Sequence, residues 1–324
     1  MRVLITGSSG FLGSVLVNNL IKENHLIKEF DILNGQDINS YNDCLNYSRD
    51  IDVVYHLCAL LPAQRKRLEE YIETNVKGTQ KLIKACLENK VPRLIFISSS
   101  AVYGTPNSII TEKTEYYPIE FYGLSKTLAE ITCLYYRKNY PININIIRPR
   151  TIIGEGRLGI LDILFGWIKR NRNCYLIGDG DNKYSLLDLN DLVDFLLLLI
   201  KKENRNEDFN LGTDKFNTLK EDLQSVIDYY NSKSKIKLIQ SKLAKPILRL
   251  LDRFNLIPFT KWHYEPIDSN FIFDITKAKS IGWKPKYSNS EMLIDSYRSF
   301  LSNKRKGFSF HLSPINKRIL NIIN

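Results

Sequence analysis

A doubly wound α/β fold, with a parallel sheet covered by helices on both faces, is what this 324-residue sequence predicts. Three observations carry the prediction. Short apolar runs alternate with helical patterns through the first half of the chain, the signature of strands joined by crossover helices. The first run, Arg2–Thr6, ends directly in a glycine turn (Gly7, Gly10, Gly13) that opens a helical stretch. Pro92 and Pro141 stand just before the fourth and fifth runs, where each helps to end the preceding helix.

In chain order, strands are expected at Arg2–Thr6, Leu26–Asp31, Val53–Leu57, Leu94–Ser98 and Ile144–Arg148, with helices at Phe11–Glu23, Tyr71–Glu88 and Tyr122–Tyr140. After Arg148 the alternation becomes irregular. A helix over Leu158–Arg170, a short strand over Cys174–Ile177 and a turn at Gly178–Gly180 precede a helix over Leu189–Lys201 and a last strand over Asp208–Leu211. No repeat or flexible linker interrupts the pattern. The expected division is a Rossmann-type domain over 1–150, to which 185–212 return, and a smaller α/β substrate lobe with a basic tail from 151–184 and 213–324.

Three amphipathic stretches follow, Leu219–Tyr230, Leu243–Phe254 and Glu291–Leu301. In the second, Leu243, Ile247, Leu250, Leu251 and Phe254 share a face, with Lys245, Arg249 and Arg253 elsewhere. The expectation is that this face packs into the core of the substrate lobe; the alternative is an anionic lipid surface. Pro246 is acceptable only in the first turn of that helix. From Asn303 the tail repeats the basic and apolar mixture, so it either packs on the body or lies on a membrane.

Hydrophobic residues make up 44% of the chain, and the charges are mixed, as in a globular protein. The formal charge of +11 is read as a solvated basic surface; no nucleic-acid motif accompanies it. Cys44, Cys58, Cys86, Cys133 and Cys174 are odd in number and lack C-x-x-C spacing, which fits reduced thiols in a cytoplasmic protein. His25, His56, His263 and His311 have no metal-ligand spacing, so no metal is expected. No leader is expected ahead of the first strand, and the run Phe195–Ile200 is too short to span a bilayer.

The glycine turn cradles a dinucleotide pyrophosphate at the positive end of the first helix. Gly7 permits the tight turn, Gly10 the close approach of backbone, and Gly13 the packing of helix on strand. Ser9, Phe11 and Leu12 complete that loop. Asp31, at the end of the second strand, suits the ribose hydroxyls and repels an extra phosphate, which favours NAD over NADP. Asp37 and Ile38 are candidates for the adenine side.

Tyr122 and Lys126 lie four residues apart, on one helical face. An ammonium there holds a phenol near the pKa that proton transfer needs. Beside a nicotinamide site, the pair implies hydride chemistry on an alcohol or ketone.

Together Thr6–Gly13, His56–Ala59, Thr74–Thr79, Phe96–Gly104, Tyr122–Lys126 and Arg148–Pro149 resemble the extended short-chain dehydrogenase/reductase family, and within it the sugar-nucleotide epimerases and dehydratases. The resemblance implies a catalytic Ser99, Tyr122 and Lys126, with Ser100 as second choice for the serine. It adds Leu57, Ala59, Asn75, Ser98 and Pro149 to the NAD site, implies a homodimer, and makes His56 structural. Family members that eliminate water or decarboxylate carry an acid two residues before the tyrosine of Val102-Tyr103-Gly104, and one epimerase-reductase class carries a cysteine. Here that residue is Ala101, which moves no proton, so hydride plus one proton remains. The segment Leu176–Asp191 departs from the family's Gly-x-Gly-x-Gln-x-Arg: Tyr184 replaces the arginine that clamps a diphosphate, with Lys183 adjacent. Arg150, Arg157, Lys183, Tyr184 and Ser100 are the substrate-side candidates. The expected function is NAD-dependent 4-epimerisation of a nucleotide-linked sugar through a keto intermediate. The alternatives are a net oxidoreductase on a sugar or lipid-linked hydroxyl, and a cofactor-sensing binding protein.

Overall fold

The computed structural model describes residues 1–105, 109–155, 161–202, 206–254, 256–257 and 261–302. The first half runs β1 (Arg2–Thr6), α1 (Phe11–Lys22), β2 (Leu26–Phe30), α2 (Tyr41–Tyr47), β3 (Val53–His56), α3 (Leu68–Tyr71), α4 (Gly78–Glu88), β4 (Arg93–Ile97), α5 (Phe121–Asn139) and β5 (Asn143–Pro149). Then come β6 (Ile152–Ile153), α6 (Leu161–Lys169), β7 (Cys174–Ile177), β8 (Leu187–Asp188), α7 (Leu189–Lys201), β9 (Asp208–Leu211), α8 (Leu219–Tyr229), β10 (Ile236–Ile239), α9 (Ser241–Arg253), α10 (Lys261–Tyr264), α11 (Thr276–Ser280) and α12 (Asn289–Leu301).

Six strands form one sheet in the order β2-β1-β3-β4-β5-β9, every neighbouring pair parallel. From β1 the chain steps outward to β2 and then, in the other direction, to β3. That reversal opens a crevice at the carboxyl ends of β1 and β3, where an open α/β sheet binds ligands. β3 and β4 are buried along their whole length, because helices cover both faces of the sheet. One face packs Val3, Ile5 and Leu16 with Leu192, Leu196 and Phe209; the other packs Leu4, Val54 and Phe96 with Leu82, Cys133 and Ile146.

Beside the sheet stands a second core, in which Phe165, Cys174, Leu176, Leu223, Val226, Leu293 and Tyr297 meet. It joins α6, α8 and α12 to the two-stranded sheet of β7 and β10.

Two expectations about α9 change. The helix begins at Ser241, so Pro246 lies in its second turn instead of its first, where its missing N–H removes one helical hydrogen bond. Nor does the apolar face pack into the lobe. Leu243, Ile247, Leu250 and Phe254 are 58–63% exposed; only Leu251 is half-buried. The reason is polar. Lys245 bonds Asp268 and the Glu265 carbonyl, Arg249 grips Glu265 with two hydrogen bonds, and Asp252 takes Arg65 and the Tyr264 hydroxyl. These clamps turn the charged side inward. The tail from Asn303 lies outside the described residues.

Candidate active site

Gly7 takes a φ of +73°, and an added Cβ would stand 2.9 Å from the Cys58 nitrogen. Gly13 is tighter still: its Cβ would meet the Gly7 carbonyl oxygen at 2.1 Å. The loop therefore needs glycine at both ends. Gly10 caps α1 without a side-chain hydrogen bond, so the N-terminus of the helix, which Phe11 and Leu12 begin, faces the loop with no side-chain cap from Gly10. Asp31 sits at the end of β2 and accepts hydrogen bonds from the Ser9 and Leu33 N–H groups, both at 3.0 Å. It ties the glycine loop to the strand beside it. Asp37 caps the turn at Asn39, while the Ile38 side chain packs in the core against Gly78.

The far wall of the crevice is fixed by an ordered chain of hydrogen bonds. The Cys58 N–H donates to Thr6 Oγ1, which lies 2.7 Å from His56 Nδ1; His56 Nε2 lies 2.8 Å from Thr79 Oγ1, and that hydroxyl donates to the Asn75 carbonyl. The donors are all satisfied when His56 is neutral with its proton on Nε2. Burial, helped by Lys126, pushes the His56 pKa down to about 3. His56 is thus structural. The Asn75 side chain bonds both the N–H and the carbonyl of Leu60 and donates to Ser125 on α5 at 2.9 Å. Asn75 belongs to a π-helical turn, Ile72–Lys77, a device that appears mostly at functional sites. Leu57 and Ala59, on the loop so fixed, are half-buried.

α5 carries Tyr122, Lys126 and Glu130 one turn apart along one face, all buried. Gly123 lets this helix approach the turn after β4, since a Cβ there would lie 2.6 Å from the Ala101 carbonyl. Glu130 grips Arg148 of β5 at 2.6 Å, with Tyr116, Tyr103 and Asp208 around the guanidinium. That buried network, which sequence reasoning missed, fixes how α5 sits on the sheet. Its only signal was Glu130 one turn beyond Lys126. Lys126 Nζ donates to the Ile97 carbonyl at 2.6 Å and lies 4.4 Å from the centre of the Phe96 ring. Burial lowers its pKa to about 8, against the pull of Glu130.

At the end of β4, Ser98 is buried with no partner for its hydroxyl among the described residues, and Ser99 Oγ accepts the Ala101 N–H at 3.1 Å, which leaves its own proton to donate. Ala101 closes a small apolar cluster with Tyr71, Tyr122 and Leu60. Ser100 Oγ accepts from Arg150 at 3.2 Å. Arg150 follows Pro149 at the end of β5. It is buried, donates to the Ser185 carbonyl, stacks 3.9 Å over Phe271 and has no carboxylate partner among the described residues. Burial lowers its pKa to about 9, with Tyr184 pulling it back. Tyr184 is half-buried beside it, whereas Lys183 is exposed, as adjacent residues of an extended segment are. Arg157 lies outside the described residues.

Residues 3–212 match the NAD dependent epimerase/dehydratase family. The chain belongs to this family. An uncharacterised protein, y4nG, of Sinorhizobium fredii is 31% identical over 340 residues, covering 99% of this chain and 85% of its own. The UDP-glucose 4-epimerase of Lactobacillus helveticus is 28% identical, covering 95% and 99%. In structure, the UDP-glucuronic acid 4-epimerase of Bacillus cereus in complex with NAD superposes with a TM-score of 0.74 at 22% identity, over 94% of this chain and all of that one. The family is one of NAD-dependent enzymes on nucleotide sugars, and the glycine loop, uncapped helix and buried lysine fit that cofactor.

Proposed function

We propose that this family member is a 4-epimerase of a nucleotide-linked sugar. The observation that supports it best is Ala101. At the position where an acid or cysteine would serve elimination or epimerisation beside the carbonyl, the chain has a methyl group locked against Tyr71 and Tyr122. Ser99, Tyr122 and Lys126 remain to move protons. Tyr122 takes the proton of the reacting hydroxyl, Ser99 donates a hydrogen bond to the same oxygen, and Lys126 supplies the positive charge that favours the phenolate. Gly7–Gly13, Asp31 and Lys126 would hold NAD, which would supply the acceptor for the hydride and its return. For inversion the keto sugar must present its other face before that return. Arg150, supported by Ser100 and close to Tyr184, is the cation that meets the substrate's negative charge in place of the missing arginine.

The test follows hydrogen at the reacting carbon. Nucleotide sugars deuterated at C4 are equilibrated with the enzyme in water, and unlabelled ones in deuterium oxide. Both epimers should appear with the C4 label retained, no solvent deuterium on the neighbouring carbons and the cofactor oxidised throughout. NADH in stoichiometric amount, or solvent deuterium at C5, would refute epimerisation at C4. Tyr122→Phe should lose roughly a hundred- to ten-thousand-fold in rate while binding NAD as before.

A further inference from the structure

α9 presents an apolar stripe to the outside. Leu243, Ile247, Leu250 and Phe254 follow at intervals of four, three and four residues, the spacing of one helical face, and they are 63%, 59%, 58% and 63% exposed. Pro246 is exposed next to them. The same helix is fastened to the body through its polar side, by Lys245 to Asp268 and Arg249 to Glu265. It is oriented opposite to an ordinary surface helix. Just ahead of it, in β10, Leu238 and Ile239 are also exposed, at 48% and 36%.

The charge around the stripe is one-sided. Residues 233–254 hold seven lysines and arginines and one carboxylate; Lys245, Arg249 and Asp252 are paired with Asp268, Glu265 and Arg65, which leaves Lys233, Lys235, Lys237, Lys242 and Arg253 exposed with no carboxylate of the segment beside them. Lys242 and Arg253 border the stripe, are exposed, and form no ion pair among the described residues. An apolar face with a basic border is the arrangement of a helix that lies in the plane of a membrane interface, its apolar side chains in the acyl boundary and its cations among anionic headgroups. The occupants within the system fit less well. A second copy meeting this face about a twofold axis would bring basic border against basic border. The segment 303–324 contains no Asp or Glu, so it offers the border no countercharge either.

We propose that α9 is a docking face for an anionic lipid membrane. The proposal is independent of the reaction assigned above. It has a spatial consequence, because a cavity of about 440 Å³ lies against the helix, lined by Arg249, Lys261, Tyr264 and Glu265 on one side and by Thr105 and Ile119 on the other. Thr105 follows the Val102-Tyr103-Gly104 turn, and Ile119 leads into α5. Docking would hold that side of the active-site region near the lipid.

The experiment is flotation of the full chain with vesicles of neutral phosphatidylcholine, or of phosphatidylcholine with phosphatidylglycerol, at about 0.01 M and about 0.15 M salt. The protein should float with the anionic vesicles, less so at the higher salt, and stay behind with the neutral ones. Lys242→Glu with Arg253→Glu, and separately Ile247→Ser with Leu250→Ser, should each lower partitioning by at least about tenfold. Neither pair should change the melting temperature or the particle size by light scattering, since these side chains touch no core. Absence of flotation with anionic vesicles at low salt would overturn the proposal. So would undiminished binding in both variants, or a change of particle size in the serine pair, which would mark the face as a contact between copies. Should the serine pair fail to fold, the charge pair, which alters only exposed groups, decides.

Discussion

A buried lysine without a carboxylate bonded to it costs stability, and among the described residues Lys126 has none. Its ammonium rests on the Ile97 carbonyl and the Phe96 ring, with a pKa of about 8 in place of 10.5. Such a shift corresponds to about 3 kcal/mol of unfavourable burial while the group is charged in both states. The penalty is fully present below pH 8. Between about 8 and 10.5 the folded state sheds the proton and the unfolded chain keeps it, so stability rises with pH across that window. The cofactor-free Lys126→Met variant should therefore be more stable than the parent at pH 7, and the gap should narrow by pH 9.5. Urea denaturation of both proteins at the two pH values measures this. An equal gap at both would show that the lysine is not the titrating group. The charge proposed to act on Tyr122 thus comes at a cost to the fold.

For elements, the glycine loop and α1 allow two rules to be set against each other. Helix propensity says that Gly13→Ala, in the first turn of α1, should stabilise by about 1 kcal/mol. Contact geometry says the opposite, because the new Cβ would stand 2.1 Å from one backbone oxygen and 2.8 Å from Ser8 atoms that cannot move alone. Overpacking of this kind typically costs 1–3 kcal/mol. We expect a lower melting temperature and at least about tenfold weaker NAD binding, read by thermal unfolding and cofactor titration. A variant as stable as the parent that binds NAD normally would mean that the loop relaxes freely.

The elements also show what the sequence makes legible. β1, β7, β9 and α7 fall where the apolar runs place them, because each is a dense run with sharp punctuation at both ends. The places of Asp31, at the end of β2, and of Tyr122 and Lys126, on one face of α5, were equally legible, being fixed by local spacing. β10 was not, since Ile236–Ile239 is a short run broken by Lys237, and it pairs with β7 far back in the chain, Ile236 against Cys174. The Arg148–Glu130 network was hidden for the same reason: its members lie on four separate segments, and only the fold brings them together. α9 misled because amphipathicity reports that a helix has an apolar face, and says nothing about which way that face turns.

At the scale of the molecule, Arg150 is buried where segments far apart in the chain converge. Ser100 reaches it from the turn after β4, while Ser185 and Phe271 reach it from the chain that closes the opposite wall. Among the described residues no helix is long and apolar enough to cross a membrane.

That guanidinium also makes the folded state unfinished, and an unfinished state can be used as an assay. A ligand that brings an anion to Arg150 relieves a buried charge, and whatever binds the native state alone stabilises it by mass action, by about 2.7 kcal/mol at a hundred times its Kd, and so raises its melting point. Candidate nucleotides and sugar nucleotides can thus be ranked by heating the protein with each and watching for a shift of a few degrees. Arg150→Met should melt higher than the parent when empty, since an apolar group of similar size replaces an unpaired buried ion. With the best ligand it should gain less than the parent does. If both proteins rise by the same amount, the anion is held elsewhere; if only the parent responds, the ranking has identified the natural substrate's charged group without any knowledge of the reaction.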